Sequence, residues 1–514
     1  MALLLRNGAM PQIKYRPTQF EQGRSTTIPA PYAGLNLRDD ITALQPNEAR
    51  ILENWLPSTG QLSLRTGYAA HASSLGSGEC KTLVGFEYAT SAKLVAGANG
   101  KLYDVTAAGA GSQIGTGFSE DRWQHEVYNG RLFLVNGTDA PQDWNGTTLT
   151  STSWSGSGLT ITNLVNVALV RNRLWFSENN SADVWYGGIG SVTGTLTKFQ
   201  LSQIANGGKA MAIGSWSRDA GDGADDMTVF VMSTGEIIIY QGDPATTFSK
   251  VGAYQGAPPI GRHCLFKVGG ESLVITRLGL LPVSAAVGGV ALDLARIDPW
   301  GKIAPGIASD AVLYGGNGGW MGRLHQGIVY INVPQTTGVL SKQWVLNTRT
   351  GAWTVFKGWN ASSLAIYSND LYFGAMTGGL ARKVTGSSDA STNITTVANG
   401  AFIVPESSYR TNLFTCIRPR FEAIGTVSGQ IGVDVDYVVG GLSGESVELV
   451  ANPSTTPWGS AWGSAWGQEQ EVVPTWFSAE GSGRAVAIAL KTIGQSADLR
   501  WFACDLTFKP GGIR

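Results

Sequence analysis

The sequence predicts a mainly β protein, with a β-propeller-like central domain between an N-terminal arm plus short helix and a C-terminal β-sandwich-like domain. Three observations predict it. Glycine is the commonest residue, 68 of 514, and accompanies 17 Trp, 17 Phe and 15 Tyr, so turn formers are mixed with side chains that pack well on pleated sheets. A turn followed by a short β-branched or aromatic run recurs from about residue 80 to 390. Beyond residue 400 the runs lengthen and alternate between apolar and polar. A single hydrophobic core stops growing at about 250–300 residues, so the chain divides, with boundaries read at 1–79, 80–399 and 400–514.

Within 1–79, residues 29–40 read as an extended arm, because Pro29 and Pro31 fix φ and bias their predecessors away from the helix. Residues 45–55 predict the one helix of the chain. Pro46 lies near its first turn, strong helix formers follow, and Ile51, Leu52 and Trp55 form one apolar face that ends before Pro57.

In the central segment Asn99-Gly100, Asn129-Gly130, Arg171-Asn172, Gln326-Gly327 and Asn369-Asp370 each stand before a strand-like run. Asn-Gly between apolar runs is the strongest short-range hairpin signal, because both turn residues must tolerate positive φ. Together with Gly235 and Gly270, which stand before similar runs, the instances fall on average roughly 45 residues apart, the period of propeller blades. Residues 343–356 add strand, Gly351 turn and Trp353 opening the next strand, a kelch-like layout. A sandwich stack produces similar hairpins, and the number of blades is open. Uneven gaps, notably the acidic run 219–226, predict insertions between strands.

The C-terminal segment contains alternating runs at 429–439 and 484–490. Between them Trp458, Trp462 and Trp466 recur every four residues, but a Gly after each costs about 1 kcal/mol in a helix. An aromatic loop is the better reading, and these three indoles are candidate inter-subunit contacts.

Charged residues make up only 15% of the chain, against about 25% for typical soluble domains, which fits a surface partly covered by partners. The net charge of −1 gives no clustered positive footprint for gripping DNA. Cys80, Cys264, Cys416 and Cys504 lie far apart without a C-x-x-C pair and read as buried thiols of a reducing compartment. The apolar run at residues 2–5 is too short for a leader or a membrane span.

Catalytic signatures are missing from the sequence. No G-x-S-x-G, Walker loop, G-x-G-x-x-G or H-E-x-x-H occurs, and residues 109–115 only approximate a dinucleotide loop. His71, His125, His263 and His325 stand alone, so a metal site would need the fold to assemble them. The 219–226 run carries oxygen ligands suited to Ca²⁺ but lacks the EF-hand order, and a solvated loop is preferred. No catalytic, cofactor-binding or metal residues are assigned, and no cofactor is expected. A propeller glycosidase would need two facing carboxylates, which sequence alone does not pair.

The order of segments carries a further reading. Residues 30–40 (APYAGLNLRDD), 48–57 (EARILENWLP) and 60–68 (GQLSLRTGY) resemble the opening of tail nozzle, or tail hub, proteins of short-tailed bacteriophages. Residues 83–103, 170–176 (VRNRLWF) and 416–421 (CIRPRF) are similar to later parts of that family. The resemblance implies a structural virion protein, not an enzyme. Its members form a ring, typically a hexamer, below the head-to-tail adaptor, and the ring is a conduit for genome ejection. The chain ends build a platform and the propeller lies outward. Implied partners are the adaptor, tail fibres, spikes or needle, and double-stranded DNA in transient, non-sequence-specific passage, with assembly in the host cytoplasm. The alternatives are a glycan-binding or glycan-hydrolysing propeller protein, or another tail component such as a receptor-binding tip.

Overall fold

The computed structural model describes residues 23–88, 91–219, 224–289, 299–405, 410–424, 427–440, 442, 447–450, 471–472, 475–494 and 498–513. Trp458, Trp462 and Trp466 lie outside them, as do residues 220–223 of the acidic run.

The expected hairpins form where the turn residues permit positive φ. Asn99 and Gly100 take φ of 54° and 70°, Asn129 and Gly130 46° and 71°, and Gln326 and Gly327 48° and 80°. In each case the flanking residues pair directly across a two-residue turn, as Ala98 does with Lys101 and Tyr128 with Arg131. Arg171-Asn172 and Ser368-Asn369 make the same turn without glycine. This mirror-image turn matches the right-handed twist of the strands it joins.

Seven small antiparallel sheets follow one another along the chain. Each starts with a strand that packs on the first strand of the next sheet: Cys80–Tyr88, Gln124–Tyr128, Leu164–Val170, Ala210–Asp219, Leu265–Val268, Met321–His325 and Ala361–Tyr367. The last of these packs back on the first, closing a ring. The fifth sheet has three strands among the described residues, and the seventh is completed by Tyr68–Ser73, which pairs antiparallel with Ala381–Val384. The ring is thus fastened by a strand from the opposite end of its own sequence. Of the acidic run expected to be an insertion, Asp219 and residues 224–226 lie on the paired strands Ala210–Asp219 and Ala224–Met232 of the fourth sheet.

The predicted helix at 45–55 is not formed. Glu48–Glu53 and Trp55–Ser58 are strands, separated by Asn54 at φ 59°, which breaks any helical run. Glu48–Glu53 pairs with Ile394–Gly400, and Trp55–Ser58 with Gln61–Leu64. Long-range pairing overrides local helix propensity here. Among the described residues two α-helices form elsewhere, Val283–Val287 and Ala304–Tyr314, the second with Pro305 in its first turn.

Outside the ring, both flanks of the chain share two sheets. Asp498–Ile513 pairs with Arg410–Ile424 along one edge and, on the other, with Arg24–Pro29 and Gln61–Leu64. The second sheet runs from the sixth sheet of the ring through Glu48–Glu53, Ile394–Gly400 and Val486–Gly494 to Val427–Val435. Trp55, Phe421, Trp501, Leu506, Val486 and Leu490 share one buried core with the fifth and sixth sheets of the ring. Burying such side chains stabilises by about 1.5–3 kcal/mol each.

The join between ring and flanking sheets centres on Arg65, whose side chain is 1% exposed. Its Nε donates to Oδ1 of Asn54 at 2.9 Å, and Nη1 and Nη2 donate to the two carboxylate oxygens of Asp389 at 2.9 and 2.6 Å. The remaining N–H groups reach the carbonyls of Thr66 and Lys357, so all five guanidinium donors are used. Asn54 in turn accepts from the amide of Lys357 and donates to the carbonyl of Thr395.

Candidate functional site

The seven first strands surround an axial cavity of about 690 Å³, bounded by residues from Gly85 in the first sheet to Ile366 in the seventh. Gly85 allows the ring to close. A Cβ there would lie 2.0 Å from the carbonyl oxygen of Ile366. Polar side chains tie neighbouring sheets together around the axis. Asn166 donates to Oε1 of Gln124 and accepts from the amide of Ile213, linking the second, third and fourth sheets. Ser272 donates to the carbonyl of Ser215, Arg323 to that of Leu364 and Ser363 to that of Cys80.

Glu126, His125, Arg262, His263, Lys267 and Arg323 give the cavity its electrostatic character. Burial raises the Glu126 carboxyl above its ordinary range, and the amides of Leu169 and Val127, with the charges of Lys267 and Arg323, only partly oppose this. Burial, together with the Arg323 charge, drives His125 well below its usual value. His263 is held at about 3 by burial, Arg323 and Arg122. Both imidazoles are neutral at pH 7. Lys267 Nζ donates to Oγ of Ser215 at 2.6 Å.

A second space of about 450 Å³ meets the axial cavity at Gln124, Arg262 and His263. Its outer wall carries Glu79, Lys81, Glu120 and Arg122, with Lys81 paired to Glu120 at 3.2 Å and Arg122 to Glu79 at 2.9 Å. The axial cavity has one carboxylate among its described lining residues, Glu126, so the facing pair a glycosidase would need is not gathered there.

The four histidines are only partly assembled. His125 and His263 share the axis, whereas the Nε2 atoms of His71 and His325 contact the carbonyls of Val105 and Asn369. Among the described residues no group of three or more His, Cys, Asp or Glu side chains is arranged to hold a metal. Cys80, Cys264 and Cys504 are buried free thiols and Cys416 is half-buried; burial pushes Cys80 and Cys264 up to about 12. The axial polar residues were not singled out from sequence as a set. A signal does exist around the first strands, where Gln124 and Glu126, and likewise His263 just before Leu265–Val268 and Lys267 within it, are polar positions spaced by two or four residues.

No protein-family model and no curated protein matches the chain. The protein is mainly β, with distant likenesses to propeller-containing proteins. The extracellular domain of the one-component system BT4673 from B. thetaiotaomicron aligns at 10% identity, TM-score 0.41, over 80% of this chain and 57% of that one. The computationally designed Ika8 protein aligns at 12% identity, TM-score 0.37, over 65% of this chain and 96% of that one. PorZ of the Porphyromonas gingivalis type-IX secretion system aligns at 12% identity, TM-score 0.35, over 65% and 42%. These likenesses carry no functional argument.

Proposed function

We propose that the seven sheets are the blades of a propeller and that the chain is the protomer of a ring-shaped tail nozzle of a short-tailed bacteriophage. It acts as a structural conduit below the head-to-tail adaptor and not as an enzyme. The observation that carries the reading is the union of the two flanks. Arg24–Pro29 lies along Asp498–Ile513 in a six-residue register, so segments from opposite ends of the chain make one body beside the propeller. That agrees with the platform implied by the resemblance of residues 30–68 and 416–421 to nozzle proteins.

Two further features support it. Leu413 on a flanking strand and Tyr437, Val438 and Val439 just beyond Val427–Val435 are 50%, 38%, 66% and 40% exposed, apolar surface suited to cover by neighbouring protomers. The near-neutral chain also suits a passage in which a polyanion of about one charge per 1.7 Å must slide and not stick. Adaptor, fibres, spikes or needle are the expected partners, and the virion tail the expected location.

Native mass spectrometry and negative-stain imaging of the purified protein, alone and with its adaptor, test the proposal. Closed rings, six protomers each, are expected. A chain that stays monomeric under both conditions and never joins particles overturns it.

A further inference from the structure

We propose that the axial cavity binds a small oxyanion, a phosphate or carboxylate group, between Arg323 and Lys267. The proposal concerns a site within one protomer and stands apart from the nozzle reading. Three cationic side chains, Arg262, Lys267 and Arg323, line the cavity against one carboxylate, Glu126. Glu126 lies within electrostatic reach of Lys267 and Arg323, yet among the described residues their hydrogen bonds go to Ser215 and Leu364 and not to its carboxylate. Its oxygens accept instead from the amides of Leu169 at 3.2 Å and Val127 at 3.3 Å.

The donors are therefore left open. Arg323 makes one long hydrogen bond, from Nε to the Leu364 carbonyl at 3.4 Å, and its two terminal nitrogens have no partner among the described residues. Lys267 uses one of its three N–H groups, on Ser215. Arg262 is already held by the carbonyl of Ala210 and Oδ1 of Asn179, so it adds charge and not a free fork. Gln124, which also lines the cavity and is 8% exposed, has a buried Nε2 without a partner among the described residues.

A partly desolvated guanidinium with an unused fork matches the planar or tetrahedral oxygens of carboxylate and phosphate. A cation would be repelled, and a neutral polyol would leave the charge uncompensated. Water occupies about 30 Å³ in the liquid, so a cavity of about 690 Å³ exceeds a bare ion and admits a substituent on it.

Calorimetric titration of the full chain with inorganic phosphate and, separately, with citrate at pH 7 and low salt tests the site. One saturable event is expected with at least one of them, and which one binds separates phosphate from carboxylate as the recognised group. Lys267→Met and Arg323→Gln should each weaken it by roughly tenfold or more, the loss expected for a charge-assisted hydrogen bond. Glu126→Gln should tighten it severalfold by removing the opposing charge. If Arg323→Gln does not fold, the other two variants decide. No saturable heat with either anion, or binding indifferent to both Lys267→Met and Glu126→Gln, overturns the proposal.

Discussion

Replacing Arg65 by Met should loosen the join between the ring and the flanking sheets. The substitution keeps the bulk of the side chain but deletes five hydrogen bonds, two of them to the Asp389 carboxylate. Asp389 is left with a side chain only 11% exposed and no counter-charge from Arg65. Removing one partner of a buried ion pair costs about 3–5 kcal/mol, chiefly because the other charge stays buried. The stacking of the guanidinium over Trp359, 5.6 Å from the ring centroid, adds about 0.5–1 kcal/mol. We therefore expect about 4 kcal/mol of destabilisation, read from urea unfolding followed by tryptophan fluorescence. Hydrogen exchange should quicken first in Glu48–Glu53 and Ile394–Gly400, which Asn54 and Arg65 hold to the ring. Arg65→Lys keeps the charge but cannot reach all five acceptors, and should lose about 2 kcal/mol. The decisive comparison is Arg65→Met with Asp389→Leu. Removing both charges should cost less than removing Arg65 alone, since the stranded carboxylate is gone. A loss below about 1 kcal/mol for Arg65→Met, or a double variant whose losses simply add, would refute this account.

Other perturbations have equally definite outcomes. Gly85→Ala forces the first and seventh sheets apart, because its Cβ would meet the Ile366 carbonyl at 2.0 Å; a loss of about 1–3 kcal/mol should appear as a lower thermal midpoint. Burial would raise the Asp505 carboxyl, but hydrogen bonds from Arg420, Arg418 and Thr27 outweigh it and hold the group at about 2 instead of 3.8. Its contribution, about 2 kcal/mol, is complete above pH 4 and lost as pH falls through 2, so acid unfolding of Asp505→Asn should be correspondingly flatter in that window. His263, held at about 3 against 6.5, contributes stability that is complete above pH 6.5 and declines as pH falls toward 3. Urea midpoints at pH 7.5 and 5 should therefore differ less in His263→Asn than in the parent, by up to about 2 kcal/mol in free energy.

The sequence was most readable where structure is local. Asn99-Gly100 and Asn129-Gly130 declare their hairpins because few residues accept two successive positive φ values. Residues 45–57 misled for the opposite reason. Glu48, Ala49, Arg50 and Leu52 favour a helix in isolation, but Ala49 and Leu52 pair with Gly400 and Ala398, more than 340 residues away, and Asn54 at positive φ breaks the run. The axial constellation was hidden for a related reason. Glu126, Lys267 and Arg323 come from three different sheets, and His263 lies just before the strand Leu265–Val268, so nothing local groups them. The helix Ala304–Tyr314 had Pro305 as a start signal, but no side-chain cap and little amphipathic contrast, with Val312 and Leu313 exposed.

The fastening of early strands by late ones sets a clock on synthesis. Ser63 pairs with Arg500, so roughly 440 residues must be added before Gln61–Leu64 finds that edge. At about 5–20 residues per second, the nascent strand waits for roughly 20–90 s. During that interval it is an open edge, exposed to misassociation with neighbouring chains. The same arrangement makes the flanking body sensitive to truncation: a chain terminated before residue 498 leaves both Arg24–Pro29 and Arg410–Ile424 without the strand they share.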